Sequence, residues 1–194
     1  PRSLALLGAD GQPALLRRQD LLGAVLNRPT GVLRLVHCPR VSGRRTREDV
    51  LICVEGGEAV LDSVQDWARG VSKHCCVGGC RPRRLLVFIN PASGTGQASS
   101  SWAQSKELWT ALPWISTEEV FTTRAGHARE TVQQVDPSSC DGIVIVSGDG
   151  LVHEVFNGLS SRRDAGEAMR IPIGHIPGGS GNGLAKSVLH ACGE

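Results

Sequence analysis

The sequence predicts an α/β fold over residues 81–194, in which an open, mostly parallel sheet carries helices on both faces. Two observations support this prediction. Apolar runs of strand length alternate with stretches of helical spacing, and three glycine-rich loops each follow one of the predicted strands. Because open sheets of this kind bind ligands at the carboxyl ends of their strands, we expect the three loops to share one site.

Residues 1–80 differ in character and are predicted to form a small, partial accessory module. Short alternating or continuous apolar runs indicate strands, and apolar residues three or four positions apart indicate helices. None of these segments carries a recognisable catalytic signature. The predicted elements are a helix over 14–25, strands over 31–38 and 50–54, and a helix over 59–72.

Beyond residue 81 the predicted elements alternate between strand and helix. The continuous apolar run at Leu85–Ile89 is typical of a strand that is buried on both faces of a sheet. Leu151, Val155 and Leu159 recur at every fourth position and therefore indicate a helix. The other predicted elements are helices over about 100–112 and 128–135, and strands over 118–122, 143–146 and 173–176.

The composition is that of a globular protein and excludes several classes. Of the 194 residues, 40% are apolar and 21% are charged, which argues against disorder along the whole chain. The 21 basic and 19 acidic side chains give a net charge of +2, too small to predict binding to nucleic acid or to an anionic membrane. No apolar run approaches the roughly 18 residues that a membrane-spanning helix needs.

The chain contains seven cysteines, an odd number, and has no secretory signal, which favours a reducing, cytoplasmic compartment. His74, Cys75, Cys76 and Cys80 are close enough in sequence to suggest a metal site. Structural zinc sites usually have a second pair of ligands, however, and the sequence contains no second C-x2-C or H-x3-H. We favour a loop with free thiols and predict no metal-binding residues.

The first glycine-rich loop, NPASGTG at 90–96, follows a predicted strand. Glycines between a strand and a helix let backbone N–H groups approach an anion, and the start of the helix adds a favourable dipole. The loop lacks the third glycine of the dinucleotide-binding fingerprint, because Ser99 stands at that position. Phosphate binding and a simple tight turn are both open interpretations of this loop.

The middle loop, SGDG at 147–150, carries the candidate catalytic acid. Gly148 and Gly150 flank Asp149 and allow a substrate to approach its backbone closely. A carboxylate at this position can accept a hydroxyl proton in phosphoryl transfer or hold Mg²⁺; the alternative is a turn residue or a cap for the helix that follows. Glu154, one helical turn later, can point back at the loop, and the alternative for it is an exposed helical glutamate.

The third loop, PGGSGNG at 177–183, is the densest in glycine. It is not a Walker A motif, because Leu184 and Ala185 stand between its last glycine and Lys186. Its glycines, with Ser and Asn among them, suit the wrapping of phosphates. A flexible linker is a poorer interpretation, since a buried strand enters the loop and the apolar segment 184–189 leaves it.

Together the loops resemble the catalytic domain of diacylglycerol-kinase-type lipid kinases, and the sphingosine (long-chain base) kinases most closely. The resemblance covers roughly residues 81–192, in family order and with family spacing. Its most specific parts are SGDG followed by L-x-H-E, and GSGNGLAKS. The matching strings are LLVFINPASGTG at 85–96, TTRAGHARETV at 122–132, DGIVIVSGDGLVHEVFNGL at 141–159 and IPIGHIPGGSGNGLAKS at 171–187.

The resemblance implies transfer of the γ-phosphoryl group of ATP, with Mg²⁺, to the primary hydroxyl of a sphingoid base. By the family pattern Asp149 is the general base and lies with Ser147, Gly148 and Gly150 beside the lipid hydroxyl. The implied partners are ATP and a sphingoid-base lipid, with peripheral membrane contact and no nucleic acid. Nucleotide contacts are implied for Asn90, Pro91, Ala92, Thr122, Thr123, Arg124, Ala125, Gly126, Glu154, Gly179, Ser180 and Gly181.

Two features depart from the family pattern. The first loop has Ala92, Ser93 and Thr95 where many relatives have NPxGGxG, often with a basic residue. Relatives also continue beyond the third loop into a β-rich domain that completes the lipid pocket, so we expect residues 81–194 to be a catalytic domain truncated at its C-terminal side. The alternative functions are a ceramide or diacylglycerol kinase and a non-catalytic nucleotide-binding fragment.

Overall fold

The structure, a computed structural model, describes residues 3–7, 13–75, 81–94, 96–112 and 114–193. The chain divides into two compact units. One comprises residues 1–82 together with 110–114, and the other comprises residues 83–109 and 115–194. The role of the first 80 residues as an accessory module stays a prediction.

The first unit consists of short antiparallel strands and one long helix. Its elements are β1 (Ser3–Leu7), β2 (Pro13–Arg17), a 3-10 turn (Arg18–Asp20), β3 (Leu21–Asn27), β4 (Val32–His37), β5 (Arg40–Val41), β6 (Arg44–Arg45), β7 (Val50–Cys53) and α1 (Glu58–Cys75). Strands β3, β4 and β7 pair in that order into one antiparallel sheet. The pairs β1–β2 and β5–β6 are separate antiparallel hairpins.

The helix predicted over residues 14–25 is wrong, because this segment forms most of β2, the 3-10 turn and much of β3. Leu21, Ala24 and Leu26 of β3 enter the core of the unit, and the strand pairs with β4 along its length. The helix propensity of Ala and Leu is a weak preference, which burial and strand pairing override. The other three elements predicted for the first 80 residues are confirmed, with ends shifted by at most three residues.

Helix α1 covers the outer edge of β3 with one buried side chain. The Ser72 hydroxyl donates to the Ala24 carbonyl oxygen at 2.9 Å and accepts from the Ala24 N–H at 3.0 Å. An edge strand otherwise leaves such groups unpaired, which is costly when they are buried. Leu61, Val64 and Val71 of the same helix pack against the apolar core of the sheet.

The second unit alternates strands and helices along the sequence. Its elements are β8 (Arg83–Ile89), α2 (Ala98–Thr110), β9 (Ile115–Phe121), α3 (His127–Gln134), β10 (Gly142–Ser147), α4 (Asp149–Ser160), α5 (Ala165–Ala168), β11 (Ile173–Pro177) and α6 (Gly183–Ala191). The four strands pair in the order β11-β10-β8-β9, and every neighbouring pair is parallel. All strands and helices predicted for this part of the chain are confirmed.

Helices cover both faces of the parallel sheet. Phe88 and Ile145 belong to a core cluster that includes residues of α3 and α4, whereas Val87 and Val146 pack with Trp102 of α2. Adjacent residues of a strand point to opposite faces, so continuous apolar runs are required when both faces are buried. The predicted α/β fold class is therefore confirmed. None of the helices described is long and apolar enough to cross a membrane.

Candidate active site

Three loops meet at the carboxyl edge of the parallel sheet. They follow β8, β10 and β11, which are neighbours in the sheet. Backbone hydrogen bonds join their starts: Asn90 N–H donates to the Val146 carbonyl oxygen at 3.3 Å, and Gly178 N–H donates to the Ser147 carbonyl oxygen at 2.8 Å. The structure thus places the glycine-rich loops at one edge of the sheet, as the sequence predicts.

The loops and the start of α4 line an open cleft of about 350 Å³. Nine residues predicted for the site line this cleft, namely Asn90, Ser147, Gly148, Asp149, Gly150, Glu154, Gly179, Ser180 and Gly181. Seven others lie outside its lining, namely Pro91 and Ala92 in the first loop and Thr122, Thr123, Arg124, Ala125 and Gly126 between β9 and α3. Ser93 and Leu151 also line the cleft, although sequence reasoning did not select them as site residues.

The glycines of the three loops pack against one another. A Cβ atom at Gly179 would lie 2.3 Å from Gly148 Cα, and a Cβ atom at Gly148 would lie 2.7 Å from the Gly181 carbonyl oxygen. Gly94, with φ of +57°, would place a Cβ atom 3.2 Å from the Gly178 carbonyl oxygen. The glycines therefore serve a purpose besides ligand approach, because they allow three loops to contact backbone to backbone.

A pair of buried hydroxyls joins the first loop to the middle loop. Ser147 and Ser93 are 2% and 9% exposed, and Ser147 Oγ donates a hydrogen bond to Ser93 Oγ at 2.9 Å. Each hydroxyl needs a partner at this depth, and each supplies one for the other. One feature of the sequence could have marked Ser93 as a site residue: many members of the resembled family have glycine at this position.

Two more side chains that the sequence did not single out shape the site. Asn182 closes the third loop, because its Oδ1 accepts from Gly179 N–H at 3.1 Å and its Nδ2 donates to the Gly179 carbonyl oxygen at 2.7 Å. His175 on β11 places Nε2 2.9 Å from the Ser147 carbonyl oxygen. Both contacts fix loop backbone from within the protein.

Asp149 is the first residue of α4, but its carboxylate caps α6. Asp149 Oδ2 accepts from Gly183 N–H at 2.7 Å and Oδ1 accepts from Leu184 N–H at 3.1 Å. These two backbone amides lower the pKa of the Asp149 carboxyl, and the nearby His175 lowers it further. The residue that precedes α4 and caps it is Gly148. Asp149 is therefore a helix cap, but for α6, which begins 34 residues later in the sequence.

Glu154 presents a carboxylate oxygen to the cleft from α4. Its Oε2 is buried and has no hydrogen-bond partner among the described residues. A buried, unpaired carboxylate oxygen is costly unless a cation or a donor reaches it. This position therefore fits a ligand that brings positive charge or an N–H or O–H group.

Arg124 forms an ion pair on the surface between β9 and α3. Its guanidinium contacts both carboxylate oxygens of Glu130, at 2.9 and 2.5 Å. The pair raises the pKa of Arg124 and lowers the pKa of Glu130, mainly through these hydrogen bonds. Thr123 N–H donates to His127 Nδ1 at 3.2 Å, so this amide already has an acceptor within the protein.

Within 3–7, 13–75, 81–94, 96–112 and 114–193 there is no group of three or more His, Cys, Asp or Glu side chains placed to hold a metal ion. Cys76 and Cys80 of the cysteine cluster lie outside the described residues. Burial raises the pKa of the Cys38 and Cys140 thiols, which favours the neutral form of each.

Comparison with known proteins gives a consistent result. The profile of the family described as "Diacylglycerol kinase catalytic domain" matches residues 84–192. Sphingoid long chain base kinase 4 of Schizosaccharomyces pombe is 45% identical over 105 residues, which cover 54% of this chain and 23% of the relative. Sphingosine kinase 2 of Homo sapiens is 49% identical over 109 residues, which cover 56% of this chain and 16% of the relative. Sphingosine kinase 1 of Arabidopsis thaliana is 36% identical over 171 residues, which cover 79% of this chain and 35% of the relative. The chain thus matches about a third or less of the length of each of these relatives.

Proposed function

Because the chain belongs to the diacylglycerol kinase catalytic domain family, we propose that it is the nucleotide-binding part of an ATP-dependent lipid kinase. The reaction is transfer of the γ-phosphoryl group of ATP to the primary hydroxyl of a sphingoid base, which converts sphingosine into sphingosine 1-phosphate. The observation that carries this proposal is the position of Asp149, which lies in the cleft between three interlocked glycine loops.

Asp149 accepts the proton of the attacking hydroxyl in this mechanism. Its lowered pKa keeps it ionised at neutral pH, and the amides of Gly183 and Leu184 fix its orientation. A carboxylate with a low pKa is a weak base, so it contributes chiefly by orienting the hydroxyl and taking the proton late. This suits phosphoryl transfer, in which positioning and charge stabilisation dominate.

The glycine loops hold the phosphates of the nucleotide. Gly179, Ser180 and Gly181 line the cleft beside Asp149, whose N–H donates to the Gly181 carbonyl oxygen at 2.9 Å, and Asn90 lines it from the first loop. Backbone donors aimed at a phosphate act without reorganisation, because the loops are already fixed by their own contacts. The segment from Thr122 to Gly126 supplies Arg124, which can exchange Glu130 for a phosphate because their ion pair is exposed.

The cleft also fits the divalent cation that accompanies ATP. Mg²⁺ prefers carboxylate and phosphate oxygens and is usually held by one or two carboxylates plus the substrate. The unpartnered Oε2 of Glu154 is a suitable ligand, so Glu154 would hold the cation together with the phosphate oxygens. The cation neutralises the charge that develops on the transferred group.

A sphingoid base is the substrate that the similarities favour. The relatives reported above carry the names of sphingosine or sphingoid long-chain base kinases. The middle loop reads SGDG followed by L-x-H-E, the form that we associate with this class. Peripheral contact with a membrane accompanies such a substrate, since the lipid is delivered from a bilayer.

The proposal is tested by measuring transfer of labelled phosphate from ATP to sphingosine, with ceramide and diacylglycerol as competing substrates. Asp149→Asn keeps the size of the side chain and removes its charge. We expect it to lower kcat by about 100-fold or more, the usual contribution of a positioned base. Asp66→Asn, at an exposed position of α1, is the matched control and leaves the rate unchanged.

Three results would count against the proposal. Transfer by the Asp149→Asn variant at the wild-type rate would show that Asp149 is not the general base. A preference for ceramide or diacylglycerol over sphingosine would show that the substrate is one of those lipids and not a sphingoid base. Binding of ATP by calorimetry, without transfer to any lipid, would show that this chain is a nucleotide-binding unit that does not itself turn over.

A further inference from the structure

His175 is the polar side chain of an otherwise apolar strand, β11. It faces the same side of the sheet as Ile173, which lies two positions earlier and packs against the core cluster that includes residues of α3 and α4. Its cross-strand partner, Ile145, belongs to the same cluster. These surroundings favour an apolar side chain, so packing alone does not explain an imidazole at this position.

The two ring nitrogens of His175 have different surroundings. Nε2 lies 2.9 Å from the Ser147 carbonyl oxygen, which can only accept, so the proton of the neutral ring is on Nε2. Nδ1 is buried and has no hydrogen-bond partner among the residues that the structure describes. A buried nitrogen without a partner costs at least as much stability as one neutral hydrogen bond contributes. Stability therefore does not explain the side chain either.

The bond from Nε2 completes the set of donors to the Ser147 carbonyl. That oxygen also accepts from Gly178 N–H at 2.8 Å, so both of its lone pairs are used. Two donors on one oxygen fix the plane of the peptide unit that joins Ser147 to Gly148. In a planar trans peptide the N–H points opposite to the C=O, so Gly148 N–H is held pointing away from β11 and toward the side of β8.

Gly148 N–H is available to a ligand. Gly148 lines the cleft beside Asp149, and its N–H has no acceptor within the described part of the chain. Donors to the carbonyl of a peptide unit polarise that unit and make its N–H a stronger donor. A backbone N–H that is fixed in advance stabilises developing negative charge without a cost of reorganisation. The contact from His175 thus prepares a free amide in the cleft.

We propose that His175 is a positioning residue for phosphoryl transfer, which acts through the Ser147–Gly148 peptide unit to hold Gly148 N–H toward the phosphoryl group as it passes to the lipid hydroxyl. This role rests on the proposed function, because the nucleotide supplies the group that the amide meets. His175 itself touches no substrate. It acts as the neutral ring, since a proton on Nδ1 would be buried without an acceptor among the described residues.

The first test needs no catalysis. Long-range ¹H–¹⁵N NMR spectra of the His175 ring distinguish its two neutral tautomers. We expect the proton on Nε2 and none on Nδ1. The opposite tautomer would overturn the proposal, because such a ring cannot donate to the Ser147 carbonyl.

The second test compares two replacements of His175 in the phosphate-transfer assay. His175→Leu removes the donor and keeps a side chain of comparable size, whereas His175→Gln offers an amide N–H in place of Nε2–H. We expect His175→Leu to lower kcat roughly tenfold, less than the loss of about 100-fold or more for a direct donor, with the KM for ATP changed by less than about twofold. His175→Gln should restore most of the rate. Ile173→Val, on the same face of β11, is the matched control and leaves kcat unchanged.

Thermal unfolding separates positioning from a merely structural role. His175→Leu removes the unpaired Nδ1 and leaves the Ser147 carbonyl bonded to Gly178 N–H, so it should unfold at the wild-type temperature or above. A wild-type kcat in His175→Leu would overturn the proposal. A loss of kcat that His175→Gln does not restore, or that accompanies a lower unfolding temperature, would also overturn it. In each case the proposed function stands, because the wild type still transfers phosphate.

If the wild type transfers no phosphate, the proposed function falls and the amide resonance of Gly148 decides on His175. The measurement is a titration with Mg²⁺ and a non-hydrolysable ATP analogue. A shift of this resonance in wild type and His175→Gln that is absent in His175→Leu supports the positioning role. Equal responses in all three proteins overturn it.

Discussion

Ser147 Oγ lies 2.9 Å from Ser93 Oγ, and this buried hydrogen bond joins two loops that are 54 residues apart in sequence. Ser147 ends β10 and stands two residues before Asp149, whereas Ser93 belongs to the loop that follows β8. The bond therefore connects the segment that carries the candidate base to a loop assigned to the nucleotide. Its effect on both can be measured.

Removing one hydroxyl of this pair should destabilise the protein and weaken nucleotide binding. Ser147→Ala leaves the Ser93 hydroxyl buried without its donor, which costs about 1–3 kcal/mol. We expect the double variant Ser93→Ala/Ser147→Ala to cost less than the sum of the single changes, because it leaves no unpaired hydroxyl. Urea unfolding of the four proteins measures this coupling. Strict additivity would show that the bond contributes nothing.

Gly179→Ala should damage the site more than its small size suggests. The added methyl group would meet Gly148 Cα at 2.3 Å, so the third loop has to move away from the middle loop. A misplacement of about 1 Å can lower the rate of a positioned reaction roughly 100-fold. Gly166→Ala is the control, because a Cβ there meets no atom within 4 Å. Equal ATP affinity and activity in the two variants would contradict the observed packing of the loops.

The stability contributed by Asp149 should depend on pH. Its pKa in the folded protein lies below the ordinary value of about 3.9, because Gly183 and Leu184 donate to the ionised carboxylate. The contribution is therefore fully present above about pH 4 and is lost as the pH falls through the lowered pKa. Wild type should exceed Asp149→Asn in unfolding midpoint at neutral pH, and the difference should shrink in acid. A difference independent of pH would show that the two amides do not favour the charged form.

The Arg124–Glu130 pair should compete with nucleotide for the guanidinium. Glu130→Gln removes the partner and leaves Arg124 free to turn to a phosphate, so ATP should bind a few-fold more tightly. Arg124→Gln should bind ATP more weakly than wild type. Glu167→Gln, an exposed change on α5, controls for net charge. Calorimetric titration with ATP distinguishes these outcomes, and weaker binding by Glu130→Gln would assign Glu130 to nucleotide binding instead.

The fold of the second unit could be read from the sequence because its signals are strong. Runs such as Leu85–Ile89 and Ile143–Val146 are apolar without interruption, which is typical of a strand buried on both faces of a sheet. Each run leads into glycines, so the location of the loops followed from the sheet. Residues 14–25 gave a weaker signal, because Leu and Ala suit a helix and a buried strand alike.

The partners of the site residues were beyond reach of the sequence. Asp149 caps a helix 34 residues later, and nothing in SGDG specifies Gly183 or Leu184 as donors. The sequence predicts that the glycines make space for a ligand, whereas the structure uses Gly148 and Gly179 to bring two loops together. Such contacts depend on the positions of whole strands and carry no mark in local spacing.

All six residues of β10 are buried, and the strand is paired on both sides, with β8 and β11. The amide of Gly178 donates to its last carbonyl, and the amide of Asp149 donates to Gly181. Glycine-rich loops are ordinarily among the first segments of a protein to exchange their amide hydrogens with solvent. Here one amide is bonded to the last carbonyl of a fully buried strand and the other lies two residues beyond that strand, so both should exchange at the pace of global unfolding.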